Sequence, residues 1–323
     1  MSDRSQDAVR LDAGLVFTRR DTGDLLLDLY RPLSAGAPVP VIVWLHGGGW
    51  FTGDRTLAPD LAQHVADTGM AVASIEYRLS GQALFPAQLH DVRAAICFLR
   101  ASAEELGLDP QAVGVWGASA GGHLAALAGL TGHLTALPGE EDTGGDASVQ
   151  AVAESYAPVD LAAVVAEAEA TIPGMDGASS PEAWLIGGHP AQNAEVARRA
   201  SPLSWVHGAA PPFQISHGTA DVLVSHRQSE RLHEALVAAG ADSELYLLEG
   251  YKHGFLNPPG RLDVELARVM DDGRLIAAGT VGARYRTSAR PDVPDEHRTF
   301  GFDHVEAFFR RHLTTRSTTG DSR

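Results

Sequence analysis

The chain has 323 residues, 44% hydrophobic and 20% charged, which is enough apolar surface for a sizeable core and excludes long disorder. Lys+Arg number 25 against Asp+Glu 41, a net charge of -16 that repels nucleic-acid backbones and anionic membrane surfaces. One cysteine, Cys97, excludes an internal disulfide and a thiolate metal cluster. The opening residues are polar and charged, and no later stretch approaches about eighteen consecutive apolar residues, so the reading is a cytoplasmic protein without a membrane anchor.

Gly14 to Thr18 and Leu25 to Tyr30 flank the turn signal Asp21-Thr22-Gly23 and predict an antiparallel hairpin at one sheet edge. Val39 to Leu45 is a β-branched and aromatic run, read as a central strand, and it ends in His46-Gly47-Gly48-Gly49-Trp50. Met70 to Tyr77 is the next strand. A helix follows with Pro86 in its first turn and Leu89, Val92, Ile96 and Leu99 on its inner face. Val113 to Trp116 predicts a short strand that runs through Gly117-Ala118-Ser119-Ala120-Gly121-Gly122 into a buried helix, His123 to Leu130. Val149 to Tyr156, Pro212 to Ser216 and Glu244 to Leu248 read as further strands. Phe302 to Leu313 closes the chain as a helix with Val305, Phe308, Phe309 and Leu313 on one stripe.

Strands alternating with helices predict an α/β fold, a mostly parallel twisted sheet with helices on both faces. Residues 1–313 form one domain on this reading, and 314–323 a polar tail. Segments 131–148 and 160–201 break the alternation and are candidate cap insertions at the carboxyl ends of the strands. Segment 258–298 is a further extension, read as a small hairpin of Arg274 to Thr280 with Ala283 to Thr287.

The Gly-x-Ser-x-Gly pattern sits between a predicted strand and a predicted helix, where small residues permit a sharp turn that lifts the Ser119 hydroxyl clear of the sheet. A serine hydroxyl needs a base and an acid to orient that base. His253, in Glu249-Gly250-Tyr251-Lys252-His253, and Asp221, in His217-Gly218-Thr219-Ala220-Asp221, each follow a predicted strand. Asp160 follows another and is the rival acid. Of the 14 histidines, position selects His253. His123 reads as packing, His217 and His226 as shaping the acid's loop, and His304 as part of the last helix. The glycines after Leu45 let backbone N–H groups converge, so Gly48 and Gly49, with Ala120, form the expected oxyanion hole. No Gly-Lys-Ser/Thr and no G-x-G-x-x-G spacing supports a phosphate loop instead.

His46 to Trp50, Glu76-Tyr77-Arg78-Leu79, Gly117 to Leu124, His217 to Asp221 and His253 to Phe255 together resemble an α/β-hydrolase of the esterase and lipase kind with a His-Gly-Gly-Gly motif. The chain is most similar to the bacterial feruloyl esterase-like, carboxylesterase-type branch related to prolyl oligopeptidase catalytic domains. Ala118 stands where hormone-sensitive-lipase-type relatives carry Asp. The resemblance implies a Ser119 acyl-enzyme, with His253 as base and then acid, Asp221 holding its imidazole, and Gly48, Gly49 and Ala120 binding the oxyanion. It implies a structural His46 and a structural charge pair or loop contacts for Glu76 and Arg78. Trp50 and Trp205, with Phe85 and Trp184, are candidates to line a substrate pocket, with burial in the core as the competing role.

The expected activity is hydrolysis of short-acyl or aromatic carboxylic esters, with no cofactor and no metal. The expected partner is a small-molecule ester, with no nucleic acid and no membrane; self-association is left open. The competing readings are an amide hydrolase (an aryl formamidase or small peptidase) and a non-catalytic ligand-binding homologue.

Overall fold

The computed structural model describes residues 8–33, 36–141, 144–171, 174–260 and 268–314. Ten strands form one sheet: β1 (Val9–Arg20), β2 (Gly23–Pro32), β3 (Val39–Leu45), β4 (Ala71–Ile75), β5 (Leu108–Ala118), β6 (Ala151–Ser155), β7 (Phe213–Gly218), β8 (Ser243–Leu248), β9 (Thr280–Thr287) and β10 (Glu296–Gly301). Their spatial order is β1-β2-β4-β3-β5-β6-β7-β8-β9-β10. Neighbours from β4 to β8 run parallel, and the two edge pairs at each end run antiparallel. The fold is the expected α/β arrangement, a mostly parallel sheet with helices packed on it.

Among the described residues the helices are α1 (Leu61–Thr68), α2 (Ala87–Ala101), α3 (Ala103–Leu106), α4 (Ala120–Thr131), α5 (Leu161–Thr171), α6 (Pro181–Ile186), α7 (Ala194–Ala200), α8 (Arg227–Ala239), α9 (Arg274–Ala278) and α10 (Phe302–Leu313). Strand side chains alternate between faces, so β3 feeds two cores. Val41, Val43 and Leu45 pack with Leu89, Val92 and Ile96 of α2 and with Leu124 and Leu127 of α4. Ile42 and Trp44 face the other way, toward Leu61 and Val65 of α1 and Val305, Phe308 and Phe309 of α10. Trp44 and Trp116 meet edge to face at 4.7 Å on that side. Burying each such side chain contributes roughly 1.5–3 kcal/mol, which is why uninterrupted apolar runs mark these strands.

Several expectations shift in detail. The first strand starts at Val9 rather than Gly14, because register irregularities near Asp12 and Val16 absorb the break in its alternation. The late hairpin is β9 with β10, not Arg274 to Thr280 with Ala283 to Thr287. Arg274–Ala278 is the short helix α9, which stops at Gly279 with φ 72°. Gly282, which lies between the two segments of that expected hairpin, stays inside β9 opposite Thr299. Through β9 this hairpin extends the central sheet beyond β8. The polar tail beyond Thr314 and residues 261–267 of the extension lie outside the described residues.

Segment 131–148 packs beside α2, where Glu140 forms a buried ion pair with Arg93 at 2.6 Å. Segment 160–201 carries α5, α6 and α7. β3, β5, β7 and β8 each end at the same edge of the parallel sheet, and the glycine run, Ser119, Asp221 and His253 follow them there, where open parallel sheets hold their ligands.

Candidate active site

Ser119 joins β5 to α4 with φ 55° and ψ -121°, a conformation that side chains rarely adopt. The turn is possible because the residues two positions to either side, Gly117 and Gly121, lack side chains. A Cβ on Gly117 would sit 2.2 Å from the Gly121 carbonyl oxygen, and one on Gly121 would sit 2.0 Å from that of Leu45. The Ser119 N–H donates to the Ser155 carbonyl at 2.9 Å, tying the turn to β6. Gly121→Ala must displace backbone, and its expected loss of stability is about 3 kcal/mol, read as a lower denaturant midpoint.

The Ser119 hydroxyl lies 2.8 Å from His253 Nε2, and His253 Nδ1 lies 2.6 Å from Asp221 Oδ2. Asp221 is fixed at both oxygens. Oδ1 accepts from the N–H groups of Leu223 at 2.9 Å and Val224 at 3.0 Å. Burial alone would raise its pKa, but the charge of His253 and hydrogen bonds from His217 and His253 outweigh it and hold the carboxyl well below the usual range. Asp160, the rival acid, is elsewhere: its Oδ1 accepts the Ala163 N–H at 3.1 Å, capping α5.

The glycine run turns beside this group. Gly48 and Gly49 have φ 109° and 56°, and Trp50 follows at 61°. A Cβ on Gly48 would meet the Thr52 carbonyl oxygen at 2.2 Å, so this position admits only glycine. His46 supports the loop from below. Its Nδ1 donates to the Gly47 carbonyl at 2.7 Å, and its ring stacks on Tyr77 at 4.3 Å. Burial pushes its pKa down to about 4, which suits a neutral structural imidazole. Glu76 and Arg78 pair with other groups, not with each other: Glu76 with Arg55, and Arg78 with the buried Asp91 at 2.8 Å.

A cavity of about 260 Å³ opens at Ser119 and His253, and Gly48, Gly49 and Ala120 line it too. Val164, Val165 and Ala168 of α5, together with Met175, Leu223 and Met270, make its walls largely apolar. Trp50 lines it as well, although its side chain is buried and its Nε1 donates to His123 Nδ1 at 3.2 Å. Trp205 does not line it: it packs against the core, and its Nε1 donates to the Arg199 carbonyl at 2.8 Å. Phe85 is also core, and Trp184 is 47% exposed, edge-on to Phe51. Among the other histidines, His123 is buried and His226 precedes α8.

Two carboxyls near the site were not evident from sequence. Glu182 of α6 lines the cavity, its pKa raised by burial and partly offset by its own N–H, the Ser180 hydroxyl and the charge of His253. Ser180-Pro181-Glu182 reads only as a helix start, with nothing to say that it faces a cavity. Glu154, on the central strand β6, is pushed up to about 8 by burial, against the Ala157 N–H and the Ser229 hydroxyl. Its unfolded value is 4.5, so the stability it contributes is full below that pH and is lost as pH rises through about 8. Glu154→Gln is therefore expected to gain stability over wild type by on the order of a few kcal/mol between about pH 5 and about pH 8, measured by denaturant unfolding at both. A gap that does not change with pH contradicts this assignment.

The late extension braces the histidine loop. Asp271 Oδ2 accepts the Lys252 N–H at 2.7 Å, the Asp271 N–H donates to the His253 carbonyl at 2.9 Å, and the Arg274 guanidinium lies 3.9 Å from the Tyr251 ring centre. Among the described residues no three His, Cys, Asp or Glu side chains gather as a metal site, and no helix is long and apolar enough to cross a membrane.

Comparison with known proteins matches residues 27–236 to the BD-FAE family model. Esterase LipQ of Mycobacterium tuberculosis is 35% identical over 235 residues, 71% of this chain and 54% of that protein. The chain thus spans about half the length of the mycobacterial relatives it matches. Among solved structures, a truncated carbohydrate esterase from gut microbiota is 29% identical with a TM-score of 0.66, covering 75% of this chain and 88% of that one. The thermophilic esterase Est2 of Thermogutta terrifontis is 29% identical with a TM-score of 0.62, covering 80% of this chain and 87% of that one. The match across most of the sheet, from β2 into α8, with the serine turn and the acid loop inside it, makes this chain a member of the BD-FAE family.

Proposed function

We propose that the chain hydrolyses carboxylic esters through a Ser119 acyl-enzyme. The observation that carries this reading is the continuous hydrogen-bonded row Ser119 Oγ, His253 Nε2 and Nδ1, Asp221 Oδ2, opening onto a mostly apolar cavity. His253 takes the Ser119 proton as Oγ attacks the ester carbonyl, and Asp221 steadies the imidazolium that forms. The negative oxygen of the tetrahedral intermediate is received by the N–H groups of Gly48, Gly49 and Ala120. His253 then hands its proton to the leaving alkoxide, and the alcohol departs. Water, deprotonated by the same imidazole, attacks the acyl-enzyme, and His253 returns that proton to Ser119 Oγ as the acyl–oxygen bond breaks and the carboxylic acid leaves.

The relatives support the reading: LipQ is named an esterase, and Est2 of Thermogutta terrifontis has been captured phosphorylated by paraoxon. The apolar walls from α5 and the Met175 region suit short acyl or aromatic groups, and segment 160–201 acts as the cap over them. A small-molecule ester is then the partner, and the single cysteine fits a cytoplasmic site of action. The intact row of three groups disfavours a non-catalytic receptor. A panel of acetyl, butyryl, longer acyl, feruloyl and formamide substrates tests the proposal. Turnover of the short or aromatic esters is expected. Turnover of the formamide alone transfers the same chemistry to amide hydrolysis, and no turnover of any member contradicts the proposal.

A further inference from the structure

His217 makes a second imidazole contact to the acid. Its Nε2 lies 3.2 Å from Asp221 Oδ2, the same oxygen that His253 Nδ1 reaches at 2.6 Å, and both side chains of the His217–Asp221 pair are fully buried. Nε2 also lies 2.9 Å from the Val224 carbonyl oxygen. Both neighbours of Nε2 only accept, so Nε2 carries a hydrogen. On the far side of the ring, Nδ1 lies 2.8 Å from Ser229 Oγ, which places it to accept from that hydroxyl. Ser229 sits on the buried side of α8 beside the Glu154 carboxyl, which in its protonated form donates to the Ser229 oxygen and leaves the hydroxyl hydrogen for His217. The ring is thus fixed in position and tautomer from both ends.

We propose that His217 is a positioning residue that acts through Asp221: it holds the Oδ2 lone pairs in the plane His253 needs and draws part of the carboxylate's charge away from His253. The inference rests on the reading of Asp221 as the orienting acid. The single Nε2 hydrogen is shared between the Val224 carbonyl at 2.9 Å and Asp221 Oδ2 at 3.2 Å, and because the second acceptor is a carboxylate, loss of that share acts on orientation and on basicity together. Without His217, Asp221 keeps more charge for His253, the imidazolium is stabilised, and the base becomes protonated at a higher pH. The other titratable groups around these residues include Tyr156, whose ring meets His253 edge-on at 4.7 Å, Glu182 of α6, which senses the charge of His253, His226, which interacts with His217, and Glu154 beyond Ser229. All are unchanged in the variants below.

The test uses the full chain with His217→Leu, His217→Gln, Ser229→Ala and Asp221→Asn, assayed on p-nitrophenyl acetate, with active sites counted by paraoxon titration and folding checked by thermal unfolding. His217→Leu is expected to lower kcat on the order of tenfold and to move the acid limb of the kcat/KM profile upward by about half a pH unit or more. His217→Gln, whose amide N–H reaches toward the same oxygen, is expected to recover most of kcat and to return the acid limb toward wild type. Ser229→Ala, which removes the hydroxyl that anchors Nδ1 and lets the ring shift away from Asp221, is expected to show a smaller upward shift. Wild-type kcat and an unmoved acid limb in folded His217→Leu overturn the inference, as does a loss confined to the number of titratable sites. If His217→Leu does not fold, an unmoved acid limb in folded Ser229→Ala overturns it. Asp221→Asn separates the two ideas. Wild-type activity there ends the reading of the acid, whereas collapse there with His217→Leu unchanged ends only the role of His217.

Discussion

Ser119→Ala is expected to fold like the wild type and to lose on the order of 10³-fold or more in kcat on a chromogenic short-chain ester. Folding should survive because the strain of the turn is met by the glycines at 117 and 121, not by the serine hydroxyl, whose contact is the single bond to His253. On the proposed mechanism the loss is large because His253 and Asp221 act through that oxygen. Removing the nucleophile leaves them nothing to activate, and the residual rate comes from binding and backbone dipoles alone. Circular dichroism beside steady-state kinetics separates the two effects. Retained activity in the folded variant contradicts the assignment of Ser119.

Asp221→Asn carries the second large effect, a fall in kcat on the order of 10⁴-fold, while Asp160→Asn is expected to stay within a few-fold of wild type. The amide at 221 presents a donor where His253 Nδ1–H now finds an acceptor at 2.6 Å, so the imidazole either turns or takes the wrong tautomer. Asp160 holds only the first turn of α5, and an amide oxygen at that position caps almost as well. Matched assays of the two variants at one pH decide it. A larger loss at Asp160 overturns the choice of acid.

The parts of the fold and site that were legible in sequence share a physical cause. The run Val39–Leu45 is apolar because both of its faces are buried, and the glycines at 48, 117 and 121 stand where a Cβ would meet backbone within 2.2 Å. Such demands leave few residue choices, so composition reveals them. The order of Ser119, Asp221 and His253 could be read because each follows a strand of one parallel sheet.

What was not legible depends on tertiary placement. Glu182 and Glu154 carry no mark of burial in their neighbours, and ordinary acidic residues share their local pattern. Trp205 looked like pocket lining because an aromatic side chain is apolar in either setting, and its Nε1 bond to the Arg199 carbonyl, not its type, assigns it to packing. Gly282 lies in a strand although glycine usually punctuates one, because the pairing of β9 with both β8 and β10 overrides local preference. The brace between Asp271 and the His253 loop joins segments that no local signal connects.

The most direct measurement is peptide mass spectrometry of the 323-residue chain after inactivation by paraoxon. One diethylphosphoryl group on the peptide containing Ser119, rising in step with the loss of esterase activity and absent from Ser119→Ala, is the predicted result. Inactivation with the label on any other residue, or full activity with Ser119 stoichiometrically labelled, contradicts it.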